Sequence, residues 1–497
     1  MRRKAGFFSR IKTAWRVLRS GVAYSGAELS RLVADWICGI RTADDEVRAD
    51  SRRMRARARH LSRNVGYVHQ YLNLLQANVI GHKGMTMQAQ VKSADGTTLD
   101  KPINDRIEAA WNDWASGPVT VDGKLDLVNL ELLLMKSVGR DGEVFVRMLT
   151  GPEYPHGTAL QPIDPDLIDE QFNRAAGGGL NEIRMGIEID TVGRPVRYWV
   201  NTVPPGVLGS MGGDRHPVPA EEMVHLYRLD RVGQTRGITW LAAGMYPMKI
   251  LDGYEEAELV ASRTAAAKMG FVSPKDDLVG TGIVPVVAAG QSQPPTSARA
   301  LTMQAAPGTI ETLPANWTFQ QWDPQHPTTA HGSFVKTALR KLSGAFGVLY
   351  NTLAGDLEGV NYGSMRGGLL VERDLWRVIQ QFWIWGFRRP IYQRWMANAT
   401  LTGDLTLPSR DYRRYLRVRF TPRGWTWVDP LKDVQALILG IKNGLMSRTR
   451  GLAEQGVDFE SVLEELRTEK QLAAEAEVSI EGPTPIIPAD NQGDSNA

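Results

Sequence analysis

Cysteine is almost absent: Cys38 is the only one in 497 residues. A single thiol excludes a disulfide framework and any multi-cysteine zinc site, and it fits a protein folded in a reducing cytosol. Long apolar runs are missing too. No window approaches the roughly 18 uninterrupted apolar residues that span a bilayer, and Arg2, Arg3 and Lys4 precede no apolar stretch of a secretory leader. Neither export nor membrane insertion is expected. Catalytic signatures are lacking in the same way. There is no GxxxxGK[ST], no GxGxxG in a strand-to-helix setting, no HExxH and no GxSxG elbow. His326 and His331 lie in a proline-broken turn, and Asp276 and Asp277 read as a solvated turn. No cofactor, metal or enzymatic role is expected from these residues.

The charge that is present is unevenly placed. Residues 1–63 hold 16 Lys and Arg against 6 Asp and Glu, a net of +10; residues 451–497 hold 2 against 11, a net of −9. A basic head and an acidic tail point to different partners at the two ends, or to head-to-tail contacts between copies of the chain. The length calls for several domains or a stretched, modular subunit.

Along the chain, FFSRIKTAWRVL spaces Phe7, Ile11, Trp15 and Leu18 as a basic amphipathic helix. The run SRRMRARARHLSRN reads as the exposed start of a helix that continues into GYVHQYLNLLQANVIG, its arginines solvated or set against nucleic acid or an acidic neighbour. From residue 79 to about 230, MTMQAQV, EVFVRML, IRMGIEID, VGRPVRYWV and MVHLYRL read as strands. DRIEAAWNDWA and LVNLELLLMKSV read as helices, and PPGVLGSMGGDRHPVP as a loop. The class is α+β.

Pro247 then opens a helix of about 25 residues, roughly 38 Å long. Residues 272–325 are charge-poor and end in NWTFQQWDP, which suits short β-structure that packs only in an assembly. A second helix follows in TTAHGSFVKTALRKLSGAFG, so the segment reads as a protruding stalk with a tip. The glycine-rich GVNYGSMRGG comes next, either a mobile bend or a set of amides facing phosphate. In LLVERDLWRVIQQFWIWGFRRPIYQRWM, Trp376, Trp383, Trp385 and Trp395 are expected in the core, with a kink or break at Gly386 and Pro390. Two or three short helices around Gly444 and Gly456 and a disordered end complete the chain.

Eight stretches, in this order, resemble the lambda-type portal proteins of tailed bacteriophages. They are YLNLLQANVIGHKGM, GRDGEVFVR, LQPIDPDLID, MVHLYRLDRVGQTRGITWLA, GYEEAELVASRTAAAKMGF, APGTIETLPANWTFQQWDPQHP, FVKTALRKLSGAFGVLYNTLAGDLEGVNYGSMR and DPLKDVQALILGIKNGL. The resemblance covers roughly residues 30–470. It implies a ring, typically a dodecamer, at one capsid vertex of the virion, assembled in the bacterial host cytoplasm. Double-stranded DNA would enter through it under the terminase large subunit and later leave, and the ring would meet the major capsid, head-completion and tail proteins.

The resemblance further implies a portal fold divided as a basic N-terminal segment (1–29), an α+β wing (30–240), a first stem helix (241–271), a β-containing clip (272–325) and a second stem helix (326–348). A tunnel-loop region (349–366), wing helices (367–425), a helical crown (426–480) and a disordered tail (481–497) follow. On that reading Lys336, Arg340, Lys341, Asn361, Tyr362 and Arg366 lie along the DNA channel, with Arg366 near DNA or paired with a neighbour's carboxylate such as Glu358. Trp317 and Trp322 would contribute to the terminase contact of the clip. Two other readings stay open at this point: a hydrolase or maturation protease without a motif, and a DNA-binding protein acting through its basic N-terminal region.

Overall fold

The computed structural model describes residues 39–93, 96, 98–203, 214–266, 270–274, 317–321, 331–408, 412–425 and 430–476. The expected N-terminal amphipathic helix, most of 272–325, Trp322, His326 and the tail after 476 lie outside these residues.

The arginine run forms α1 (Ala43–Asn64), which ends at Val65 rather than continuing, and α2 (Gly66–Leu75) widens into a π-turn at Gln76–Ile80. β1 (Thr86–Ala89) precedes α3 (Lys101–Ser116) and α4 (Leu127–Asp141), capped by the side chains of Asp100 and Asp126. Their apolar faces bury Ile107, Trp111 and Trp114, and Leu130, Leu134 and Val138.

β2 (Glu143–Thr150), β3 (Thr158–Ile163) and, later, β8 (Met223–Tyr227) form an antiparallel sheet in the order β3-β2-β8. Between them, β4 (Glu182–Arg184), β5 (Ile187–Ile189), β6 (Pro195–Asn201) and β7 (Arg215–Pro219) form a four-stranded meander. IRMGIEID is therefore two strands, because Met185 and Gly186 take φ of 48° and 82° and turn the chain back. The end of the expected loop before residue 220, RHPVP, is strand β7. Phe145, Ile163 and Met223 of the first sheet meet Ile187, Ile189, Tyr198 and Val218 of the second in a separate core.

α5 (Ala242–Ala266) begins before Pro247, which sits inside it. Leu241, Met245, Met248 and Leu251 are buried at helical spacing, and this packing extends the helix past the lost proline N–H. β9 (Gly270–Pro274) pairs antiparallel with β10 (Trp317–Gln321), and α6 (His331–Phe346) returns along α5. Tyr254 stacks on His331 at 5.5 Å and meets Phe334 edge-on at 4.7 Å, while Gly244 lies against Phe346.

After α7 (Tyr350–Ala354), α8 (Tyr362–Trp383), a π-turn at Ile384–Arg388 and α9 (Arg389–Thr402) follow as one helical path. The expected kink is this π-turn. Gly386 is required there, since a Cβ would fall on the side chain of Leu226 in β8. Trp376, Trp383 and Trp395 are buried, whereas Trp385 is 73% exposed beneath Arg389, two residues past Trp383 and so on the opposite side of the helix. β11 (Val418–Thr421) pairs with β1 across more than 300 residues. α10 (Pro430–Lys442), α11 (Arg448–Ala453) and α12 (Phe459–Glu475) close the described chain.

The arginine run is not a solvated face throughout. Arg55 is buried and donates to Asp166 (2.6 Å), Glu170 (2.7 Å) and Glu143 (3.0 Å); Arg59 donates to Asp166 (2.6 Å), Asp141 (2.9 Å) and Asp164 (2.9 Å). Arg236 grips Glu143 from the other side at 2.6 Å and also bonds the carbonyls of Ile168 and Met185. Glu143 is buried, and Arg236, with help from His225 and Arg55, outweighs its desolvation and holds its carboxyl far below the ordinary range. Gly142, at φ 91°, allows the close approach of this strand start to the backbone of Ile238. Three of the stretches that carry the family resemblance, GRDGEVFVR, LQPIDPDLID and MVHLYRLDRVGQTRGITWLA, meet at this one cluster.

Candidate functional site

The return helix α6 buries Leu339, Leu342 and Phe346, which leaves Lys336, Arg340 and Lys341 off the core side. Lys336 and Arg340 are one turn apart and face α7. The Lys336 ammonium sits 2.9 Å from Asp356 and 3.7 Å from Glu358, and the Arg340 guanidinium lies 5.5 Å from the Tyr350 ring centroid. Lys341 is exposed.

Asp356 is the hub of this region. It accepts from Tyr350 Oη (2.6 Å), pairs with Lys336 and accepts from the Glu358 amide (2.9 Å), while its carbonyl accepts from Asn351 (2.6 Å). The Tyr350 hydroxyl first, then Lys336, bring its carboxyl down to about 2. A second anchor is Glu372 of α8, buried, which accepts from the Leu349 amide (2.9 Å), Thr352 (3.0 Å) and the indole of Trp376 (3.2 Å). The segment between α6 and α8 is thus tied at both ends.

GVNYGSMRGG proves to be a turn followed by helix. Gly359 takes φ 68°, and Asn361 is the N-cap of α8, its side chain accepting from the Ser364 amide at 2.8 Å. From Tyr362 on the stretch is α-helical, so its later glycines are helix interior and not a loop. Part of the amide set expected to face phosphate is already satisfied by the cap. Arg366 pairs with Asp433 of α10 at 2.8 Å within its own chain, and Asp433 raises its pKa; Glu358 meets Lys336 instead. Trp317 opens strand β10, opposite Pro274.

Asp356, Glu372 and Asp433 were not singled out by sequence reasoning. Asp356 follows Gly355, which takes φ 68° and ends α7, a glycine-then-aspartate signal for a side-chain-capped turn. Glu372 and Asp433 carry no local signal, since their roles arise from contacts across helices. Among the described residues no group of three His, Cys, Asp or Glu is placed to hold a metal ion, and no helix is long and apolar enough to cross a membrane.

The family model described as phage portal protein, lambda family, matches residues 29–380. The chain belongs to the lambda family of phage portal proteins. Among curated portal relatives, a probable portal protein of Halomonas phage phiHAP-1 is 34% identical over 437 residues, covering 86% of this chain and 83% of that one. Portal protein B of Escherichia phage lambda is 22% identical over 452 residues, covering 82% and 81%. Among solved structures, the neck of an empty gene transfer agent particle aligns with 86% of this chain and 98% of its own at 13% identity and a TM-score of 0.42. The portal family is structural, not enzymatic, and this chain is a phage portal protein by that membership.

Proposed function

We propose that copies of this chain, in all about twelve, close into a ring at one capsid vertex. Double-stranded DNA is driven through that ring during packaging and released through it at ejection. Residues 30–240 and 367–425 form the wing, 241–271 and 326–348 the stem, 272–325 the clip, 349–366 the tunnel-loop region and 426–480 the crown. The clip, with Trp317 and Trp322, receives the terminase large subunit and later the head-completion and tail proteins, while the outer surface meets the major capsid protein. The ring resides in the virion after assembly in the host cytoplasm.

The observation that carries this reading is the antiparallel α5–α6 pair, extended by the β9–β10 ladder at one end and tied by Asp356 and Glu372 at the other. Such a unit holds Lys336, Arg340, Lys341, Asn361, Tyr362 and Arg366 along one connected stretch. DNA presents one phosphate charge per roughly 1.7 Å of axis, and a passage lined by a few cations, some of them answered by a nearby carboxylate, attracts the duplex without gripping it. Arg366–Asp433 and Lys336–Asp356 are such pairs.

Native mass spectrometry and negative-stain images of the full chain test the assembly: a closed ring with an axial hole is expected, and a chain that stays monomeric at every salt concentration overturns it. For the channel, Lys336→Gln/Arg340→Gln/Lys341→Gln is expected to lower the DNA packaged per particle. Unchanged packaging by that variant removes these residues from the channel wall.

A further inference from the structure

α8 carries Arg366, Leu370, Arg373 and Arg377 at i, i+4, i+7 and i+11, one continuous stripe. Beside it lies Trp425, half-buried, with the guanidinium carbons of Arg373, Arg377 and Arg423 at 5.8, 5.7 and 5.9 Å from its ring. Asp374 answers Arg377 at 2.6 Å and Asp433 answers Arg366 at 2.8 Å. The neighbourhood nevertheless stays cationic, with Arg366, Arg373, Arg377 and Arg423 set against Asp374 and Asp433.

The matching surface is on α12. Every residue from Leu463 to Lys470 is exposed. Phe459, Leu463 and Leu466 form an apolar seam, and Glu465 and Glu469 run along one side of it at the same i, i+4 spacing as Arg373 and Arg377. In its own chain α12 is tethered near its start, where Asp458 accepts from Gln88 and Glu460 lies 3.8 Å from Lys101.

We propose that α12 of one copy docks on the Arg373–Arg377 stripe of α8 in the next, Glu465 and Glu469 meeting the arginines while Leu463 and Leu466 cover Leu370. The contact joins two different surfaces, so it is heterologous and propagates around a closed ring; it rests on the ring reading above and specifies how neighbouring subunits are held. Charge complementarity selects the partner, and the leucines supply apolar area.

The test uses the full chain and reads ring population by native mass spectrometry at about 0.15 M salt. Arg373→Glu/Arg377→Glu is expected to reduce rings at least tenfold. Glu465→Arg/Glu469→Arg, on a helix face exposed in the subunit and so compatible with folding, is expected to do the same. Combining all four changes in one chain is expected to restore rings, because every interface then carries the reversed pair. Rings that survive both reversals overturn this contact and leave the ring itself standing. A wild-type chain that never closes overturns the ring reading and this contact together. Rings that survive the glutamate reversal while the arginine reversal abolishes binding of a short DNA duplex would assign the stripe to nucleic acid instead.

Discussion

Two leucine-rich helices of similar length, α4 and α10, meet opposite fates. α4 buries Leu127, Leu130, Leu134, Met135 and Val138 and ends in the charged cluster at Asp141, whereas α10, PLKDVQALILGIK, buries no residue at all. α12 buries none either, and Leu431, Ile438, Leu439, Leu463, Leu466 and Leu472 are all exposed. Composition does not separate the two regions; what differs is whether the same chain supplies the opposing surface. Among the described residues up to 425 the main core is closed from within, by sheets and by Trp111, Trp114, Tyr392 and Trp395 packed ring against ring, while Leu259, Val371 and Trp385 stay exposed. The last helices present apolar area that a single subunit leaves in water, which is the signature of an interface.

The sharpest way to break this contrast is to attack the body at Glu143. Glu143→Gln leaves Arg55 and Arg236 buried around a neutral partner and is expected to cost about 3–5 kcal/mol of unfolding free energy, read by urea denaturation. The carboxyl's folded pKa is depressed, so its contribution is complete above its unfolded value of about 4.3 and is lost as pH falls through the folded value. A loss no larger than for a surface substitution would remove the cluster as the body's anchor.

A smaller effect is expected at the joint between the regions. Burial, then the charges of Glu460, Asp105 and Asp458, against the Ala89 amide, bring Glu108 up to about 7. An acid with a raised folded pKa favours the folded form most when protonated, so the joint weakens as pH rises through 7. Hydrogen exchange at the first turn of α12, corrected for intrinsic rate, is expected to be slower at pH 6 than at pH 8, and Glu108→Gln is expected to abolish the difference. Exchange indifferent to pH in the wild-type chain would sink the idea.

The smallest effect belongs to α12 itself. Leu466→Ala is expected to change unfolding of the isolated subunit by less than about 0.5 kcal/mol, while destabilising the assembled ring. A loss of about 2 kcal/mol or more in the subunit alone would mean that the helix is already buried.

Much of this could be read from local signals. The helices at α3 and α4 have aspartate caps, α5 and α6 show as two helical patterns, and Gly386 with Pro390 marks the π-turn. Gly444 and Gly456, both at φ 74°, separate the terminal helices as their spacing suggests. The arginine run left its outcome open between solvent and an acidic neighbour because Arg55 finds Asp166, Glu143 and Glu170 at separations of 111, 88 and 115 residues, and nothing local in SRRMRARARHLSRN says which arginine turns inward. Trp385 looked like core by residue type alone, yet its spacing from Trp383 already puts it on the outer face of the helix. At the candidate site the cations were visible, but the carboxylates that answer them, Asp356 and Asp433, come from neighbouring elements and had no periodicity to announce them.

The path from Tyr362 to Thr402 never leaves a helical conformation, and at about 1.5 Å per residue it reaches some 60 Å. Its first turn is capped by Asn361 and its last turns are clamped among tryptophans, with Gly386 resting on Leu226 as a fulcrum between them. One backbone path therefore runs from the Arg366–Asp433 pair to the β3-β2-β8 sheet.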